Sequence, residues 1–86
     1  MTRYHRAQGV ASADLGGETT LMEPTTGVYF GLDRVGAEVW SLLEGRTLDE
    51  LVERLVAEYD VEPDRCRADV LELLEALEAK RLVRSV

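Results

Sequence analysis

A chain of 86 residues with 45% hydrophobic and 31% charged residues has the composition of one globular domain, without room for a deep catalytic cavity beside its core. Seventeen acidic residues outnumber ten basic ones, and the net charge of −7 argues against nucleic-acid binding, which depends on Lys and Arg neutralising phosphates. The sequence has no apolar run of membrane-spanning length, no secretory signal and one cysteine, so we expect a cytoplasmic protein without membrane contact, disulfide or zinc site.

The first eight residues are polar and contain the single histidine, His5. We expect residues 1–8 to be a flexible N-terminal arm and His5 to be a mobile surface residue. A single domain is then expected over residues 9–86.

The first half of that domain is predicted to form strands. A short strand is expected at residues 10–14, followed by a turn at Gly16 and Gly17 and a second strand, Glu18–Glu23, rich in Thr and Leu. Residues 24–27 have the composition of a hairpin loop, and Val28–Leu32 is the strongest strand signal in the chain.

The second half is predicted to form helices. Asp33 can cap a helix over about residues 34–43, which Gly45 ends. Thr47 and Glu50 have the spacing of a capping box at the start of a second helix. Its apolar positions recur every three or four residues, as in an amphipathic helix: Leu48, Leu51, Val52, Leu55, Val56 and Tyr59.

A third helix is predicted over residues 63–80, because proline suits the first helical position. Leu71 lies beside its apolar stripe, and Leu82 and Val83 are expected to fold back as a short tail. The stripe comprises Cys66, Val70, Leu73, Leu74 and Leu77. Three strands followed by three helices predict an α+β, winged helix-turn-helix-like domain with a three-stranded antiparallel sheet.

Catalytic motifs are absent from the sequence. His5 lies far along the chain from Cys66, the glycines form no phosphate-binding loop, and the helical carboxylates lie opposite the apolar stripes. We therefore expect a protein that is not an enzyme and has no cofactor, catalytic residue or metal site.

The strand Val28–Leu32 lacks the residues that normally protect a sheet edge. Alternation places Val28, Phe30 and Leu32 on one face, with Tyr29 and Gly31 on the other. No Lys, Pro or charged residue interrupts the strand, so a peptide could pair with it. The alternative is that the C-terminal tail or the N-terminal arm covers that edge.

These residues resemble a known family. Over residues 21–83 the segments VYFGLD, GAEVWSLLEG, TLDELVERLVAEYDVEP and DVLELLEALEAKRLV follow one another as in the PqqD family, the precursor-recognition elements of ribosomally made, modified peptides. The resemblance implies that a leader segment binds as an added strand on Val28–Leu32, beside a groove along the third helix.

The implied leader-binding positions come from that strand and that helix, and Arg65 and Arg67 are expected to meet acidic leader residues. The complete set is Val28, Tyr29, Phe30, Gly31, Leu32, Arg65, Cys66, Arg67, Val70, Leu71 and Leu74.

The short, acidic, stand-alone form most resembles the recognition proteins of lasso-peptide biosynthesis. That resemblance implies delivery of the precursor leader to a leader peptidase and an ATP-dependent macrocyclase. Three alternatives stay open: a PqqD-type peptide chaperone for a radical-SAM enzyme, a winged-helix DNA-binding protein, and a structural subunit of a larger enzyme. The DNA-binding alternative would need a basic recognition helix, whereas the third helix mixes Arg with Asp and Glu.

Overall fold

The computed structural model describes residues 1–16 and 18–86, which form five strands and three helices. Gly17, the second residue of the predicted Gly16-Gly17 turn, lies outside the described residues. The strands are β1 (Tyr4–Arg6), β2 (Ala11–Leu15), β3 (Glu18–Glu23), β4 (Val28–Leu32) and β5 (Val83–Ser85), and the helices are α1 (Arg34–Leu42), α2 (Leu48–Glu58) and α3 (Pro63–Ala79).

Strands β2, β3 and β4 form an antiparallel sheet in that order. Leu21 of β3 lies opposite Phe30 of β4, on the face that the helices cover, and Leu21 and Leu32 are buried there. Tyr29 lies on the opposite face and is 67% exposed. The predicted alternation of β4 is therefore confirmed, as is the α+β fold of a three-stranded sheet followed by three helices.

Local capping fixes where the first two helices begin. The Asp33 carboxylate accepts a hydrogen bond of 2.8 Å from the backbone N–H of Gly36, directly after β4 ends. A Cβ atom on Gly36 would lie 3.3 Å from the Leu32 side chain, so glycine lets α1 start close against the sheet. Thr47 and Glu50 form the predicted capping box, in which each side chain accepts a hydrogen bond from the other residue's backbone N–H.

The start of α3 has a cap that the sequence analysis missed. Pro63 occupies the first turn, as predicted, and the Glu62 carboxylate accepts a hydrogen bond of 2.9 Å from the backbone N–H of Arg65. The helix then packs against α2. The core comprises Leu21, Leu32, Val39, Trp40, Leu43, Leu51, Val52, Leu55, Cys66, Val70, Leu74, Leu77, Leu82 and Val83.

The expectation of a flexible N-terminal arm is wrong for Tyr4–Arg6. This segment forms β1, which pairs antiparallel with β5 in a second, two-stranded sheet. Leu82 and Val83 fold back and are buried, as predicted, and the backbone that follows them needs hydrogen-bonding partners, which β1 supplies. Among the described residues, none of the helices combines the length and apolar composition needed to cross a bilayer.

Side chains of β1 add contacts with α1 and with the residues that follow it. Nδ1 of His5 lies 2.6 Å from a carboxylate oxygen of Glu44, and the Arg6 guanidinium donates a hydrogen bond of 2.9 Å to the Trp40 carbonyl. His5 is therefore a paired residue and not the mobile one that we expected. The hydrogen bonds from His5 and from the backbone N–H of Arg6 lower the pKa of the Glu44 carboxyl below its ordinary value of 4.5.

Two leucines of α3 allow a test of how this helix faces the core. We expect Leu74→Ala to lower the free energy of unfolding by about 2–5 kcal/mol, because Leu74 has no exposed surface and its removal leaves a cavity. Leu71→Ala, the control on the same helix, should cost less than about 0.5 kcal/mol, because Leu71 is 38% exposed. Urea denaturation measures both values, and equal losses would contradict the orientation of α3.

The lowered pKa of Glu44 predicts a pH dependence of stability. A carboxyl whose pKa is depressed in the folded state stabilises the fold above its unfolded pKa, and this contribution disappears as the pH falls through the folded pKa. Glu44→Gln should therefore be less stable than the wild type at about pH 6, and the difference should shrink towards about pH 3. Denaturation of both proteins across this range measures it, with Glu53→Gln on the exposed face of α2 as the control. A difference that stays constant with pH would refute the role of Glu44.

Candidate functional site

Strand β4 has hydrogen-bonding groups along one side that no other described strand uses. It pairs with β3 on one side, and within the described part of the chain no strand pairs with its other side. The N–H and C=O groups along an unpaired edge are a template for an additional strand at a spacing of about 4.8 Å.

A pocket of about 540 Å³ lies beside this edge, between β4, the start of α1 and α3. We call it the main pocket. Its walls carry apolar side chains from α1, from the α2–α3 loop and from α3. The lining residues are Gly31, Leu32, Asp33, Val35, Gly36, Val39, Val61, Glu62, Arg65, Cys66, Asp69, Val70 and Leu73.

A second concavity continues the main pocket along α3. We call it the side pocket, and it is lined by Phe30, Asp69, Glu72, Leu73 and Ala76. Because Asp69 and Leu73 line both pockets, the two form one groove that follows the edge of β4.

The apolar walls of the groove are unusually open to solvent. Val35 is 44% exposed and Val61 is 40% exposed, although valine is more often buried. Exposed apolar side chains that lie together around a concavity are typical of a binding site.

Gly31 supports the same interpretation. A Cβ atom built on Gly31 would meet no described atom within 4 Å, and its backbone does not require a positive φ angle. The fold therefore has no need of glycine here, even though glycine weakens a strand. A glycine in an edge strand often marks the place where another backbone approaches closely.

Carboxylates surround the groove. Asp33 and Glu62 serve as helix caps, while Asp69 and Glu72 point from α3 towards the groove they line. Arg65 is the one basic residue among the described residues that line the two pockets.

Cys66 lies in the wall of the main pocket and is nearly buried. Burial raises the pKa of its thiol, and the negative charge of Asp69 raises it further. The thiol is therefore protonated at neutral pH, and only the thiolate is a strong nucleophile. Cys66 thus contributes an apolar surface to the groove.

The structure brings six of the eleven predicted site residues together in the groove walls. They are Phe30, Gly31, Leu32, Arg65, Cys66 and Val70. Val28 and Tyr29 belong to the open edge strand but lie outside both pockets, with Val28 half-buried and Tyr29 exposed on the outer face of the sheet.

Three predicted site residues lie elsewhere. Arg67 lines neither pocket and forms an ion pair with Asp49 of α2. Leu74 has no exposed surface because it points into the core. Leu71 is exposed but lines neither pocket.

Sequence reasoning missed several groove residues. Leu73 was assigned to the core, yet it is half-buried and lines both pockets. The sequence could have indicated this role, because Cys66, Asp69 and Leu73 follow one another at intervals of three or four residues, and residues at these intervals share a helical face. The other residues that were missed are Asp33, Val35, Gly36, Val39, Val61, Glu62, Asp69, Glu72 and Ala76.

The groove offers backbone hydrogen bonds, apolar walls and charge, which are the elements of noncovalent peptide binding. In residues 1–16 and 18–86, no group of three or more His, Cys, Asp or Glu is arranged to hold a metal ion.

Comparison with solved structures finds two close similarities in fold. "TbiB1 in Complex with the TbiA(beta) Leader Peptide" has 40% identity and a TM-score of 0.83, covering 93% of this chain and 94% of that one. "Lasso peptide synthetase B1 complexed with the leader peptide" has a TM-score of 0.81 and covers 95% of this chain and 98% of that one, and at 22% identity it shows the fold alone.

Sequence comparison supports the same assignment. No curated protein matches this chain. The family model described as "Coenzyme PQQ synthesis protein D (PqqD)" matches residues 18–83, which include β3, β4, all of α1 to α3 and the first residue of β5. The resemblance found in the sequence is therefore confirmed, and the chain belongs to the PqqD family.

Proposed function

We propose that this chain binds the leader segment of a ribosomally made precursor peptide in lasso-peptide biosynthesis. The leader adds as a strand to the open edge of β4, and its inward side chains enter the groove along α3. The observation that carries the proposal is the unpaired β4 edge beside the apolar main pocket.

The relatives support this assignment. TbiB1, which shares 40% identity and nearly the whole fold with this chain, was solved in complex with the TbiA(beta) leader peptide. The lasso peptide synthetase B1 structure also contains a leader peptide. In this proposal the bound leader is then delivered to a leader peptidase and an ATP-dependent macrocyclase in the cytoplasm, and the chain itself has no catalytic role.

Strand addition needs an apolar anchor to reach a useful affinity. A disordered leader loses conformational entropy when it binds, which typically costs about 2–5 kcal/mol. Burying one large apolar side chain contributes about 1.5–3 kcal/mol. One anchor in the main pocket, against Val35, Val70 and Leu73, therefore offsets much of that cost.

The proposed binding surface combines the edge strand with the groove walls. From the predicted set it retains Val28, Tyr29, Phe30, Gly31, Leu32, Arg65, Cys66 and Val70. It adds Leu73 from α3 and Val35 from α1, and it excludes the buried Leu74.

DNA binding is poorly supported by the surface of α3. Asp64, Asp69 and Glu72 are exposed on this helix, and carboxylates repel a phosphate backbone.

If the leader binds by strand addition, every second residue of its backbone should form hydrogen bonds with β4. In an edge-paired strand, alternate N–H groups point towards the host strand and the others point away. We expect N-methylation of alternate leader residues within the paired segment to weaken binding at least about tenfold, with little effect at the residues between them. Calorimetric titration of this chain with the leader of the precursor peptide encoded beside its gene measures this. Equal tolerance at all positions would rule out strand addition.

Two leucines of α3 test which face of the helix binds the leader. Leu73→Asp places a carboxylate in the wall of both pockets, and we expect it to weaken leader binding at least about tenfold because a charge opposes burial of an apolar anchor. Leu71→Asp makes the same change outside the groove and should leave affinity within about twofold. Circular dichroism confirms that both variants fold, and stronger weakening by Leu71→Asp would contradict the groove assignment.

A further inference from the structure

The side pocket has a different chemical character from the main pocket. We call its half-buried apolar residues, Phe30, Leu73 and Ala76, the floor, and its two exposed carboxylates, Asp69 and Glu72, the rim. No basic residue lines this pocket among the described residues.

Both rim carboxylates are available to a guest. Asp69 and Glu72 are exposed, and neither takes part in a hydrogen bond or ion pair with another described residue. This distinguishes them from Asp33 and Glu62, whose carboxylates cap α1 and α3.

Asp69 also acts on the neighbouring main pocket. After burial, its negative charge is the second cause that raises the pKa of the Cys66 thiol in the wall of that pocket. Arg65 lies nearer the start of α3 and lines the main pocket only.

An apolar floor with a carboxylate rim fits a long cationic side chain. Lys and Arg lay their methylene stems along apolar surfaces while their charged ends remain in contact with water and counter-charges. A shorter apolar side chain would leave both carboxylates without a partner, and an acidic side chain would be repelled by them.

The geometry of strand addition relates the two pockets. Side chains of a paired strand that face the same side are separated by two residues, or about 6.6 Å. A guest lying along β4 therefore directs alternate side chains into a groove that runs from Leu32 and Gly31 to Phe30.

We propose that the side pocket binds a Lys or Arg side chain of the guest peptide. This basic residue lies two residues along the peptide from the apolar residue that occupies the main pocket. This inference rests on the proposed function, and it adds a basic leader residue to the acidic one that Arg65 was predicted to meet. Asp69 and Glu72 are then specificity-determining residues, and the side pocket selects a basic residue rather than an acidic one.

The test begins with a randomised peptide library displayed on phage and selected on the full-length chain. We expect the selected peptides to be enriched in Lys or Arg two residues from an apolar residue. The best peptide is then synthesised with its basic residue as lysine or as norleucine, which keeps the stem and removes the charge. On the wild type, the norleucine peptide should bind about fivefold more weakly, and this difference should shrink as salt is added.

The variants assign that difference to the side pocket. The double variant Asp69→Asn with Glu72→Gln should bind the two peptides equally. Glu75→Gln with Glu78→Gln makes the same change in net charge on the same helix, on the side where both carboxylates raise the pKa of Tyr4. This control should keep the wild-type preference.

The possible outcomes separate the two proposals. Selected peptides without enrichment in basic residues, or a preference for lysine that survives in the Asp69→Asn, Glu72→Gln variant, would overturn this inference and leave the peptide-binding function intact. A chain that selects no peptide at all would overturn both.

Discussion

The pairing of β5 with β1 determines what the rest of the molecule can do, because it keeps both ends of the chain away from β4. Arg81 adopts a left-handed conformation with φ of 61° directly after α3, and Leu82 then donates a backbone hydrogen bond to the Leu77 carbonyl. This turn sends the tail back along α3 to meet β1. The backbone groups of the tail are satisfied there, and the edge of β4 stays open beside the groove.

Helix α3 stabilises the fold with one face and lines the groove with another. Neighbouring residues of a helix differ in direction by about 100°, so adjacent leucines can serve different surfaces. Leu74 lies in the core without exposed area, whereas Leu73 is half-buried and lines both pockets. The groove therefore has a rigid wall, since the helix that presents Leu73 is anchored by Val70, Leu74 and Leu77 in the core.

The sequence predicted the features that depend on local interactions. Asp33, the capping box at Thr47 and Pro63 located the helix starts, because a cap acts within one turn. The alternation of side chains in Val28–Leu32 predicted correctly which residues of β4 face the core. Once one side chain of a strand points inward, the direction of every other side chain follows. The sequence left open whether a terminal segment covers that edge, because pairing between β1 and β5 joins residues almost a whole chain apart. The ion pair between Arg67 and Asp49 was missed because it depends on how α3 packs against α2, which the apolar pattern of each helix does not specify. Leu73 packs against the core as predicted, but its second role in the groove was missed because an apolar residue has the same pattern in a core as in a groove.

The walls of the main pocket come from three separate segments: Val35 from α1, Val61 from the α2–α3 loop, and Val70 from α3. No one of these segments forms the pocket alone, so the unfolded chain has no site for a guest. A ligand that binds only the folded state stabilises it by RT ln(1 + [L]/Kd). Ordering a guest backbone costs about 1–2 kcal/mol per residue, and each new hydrogen bond returns a net of only about 0.5–1.5 kcal/mol, so pairing with β4 alone is close to neutral. Affinity and stabilisation of the fold must then both arise from the side chains that enter the groove, and the open edge determines their spacing and direction.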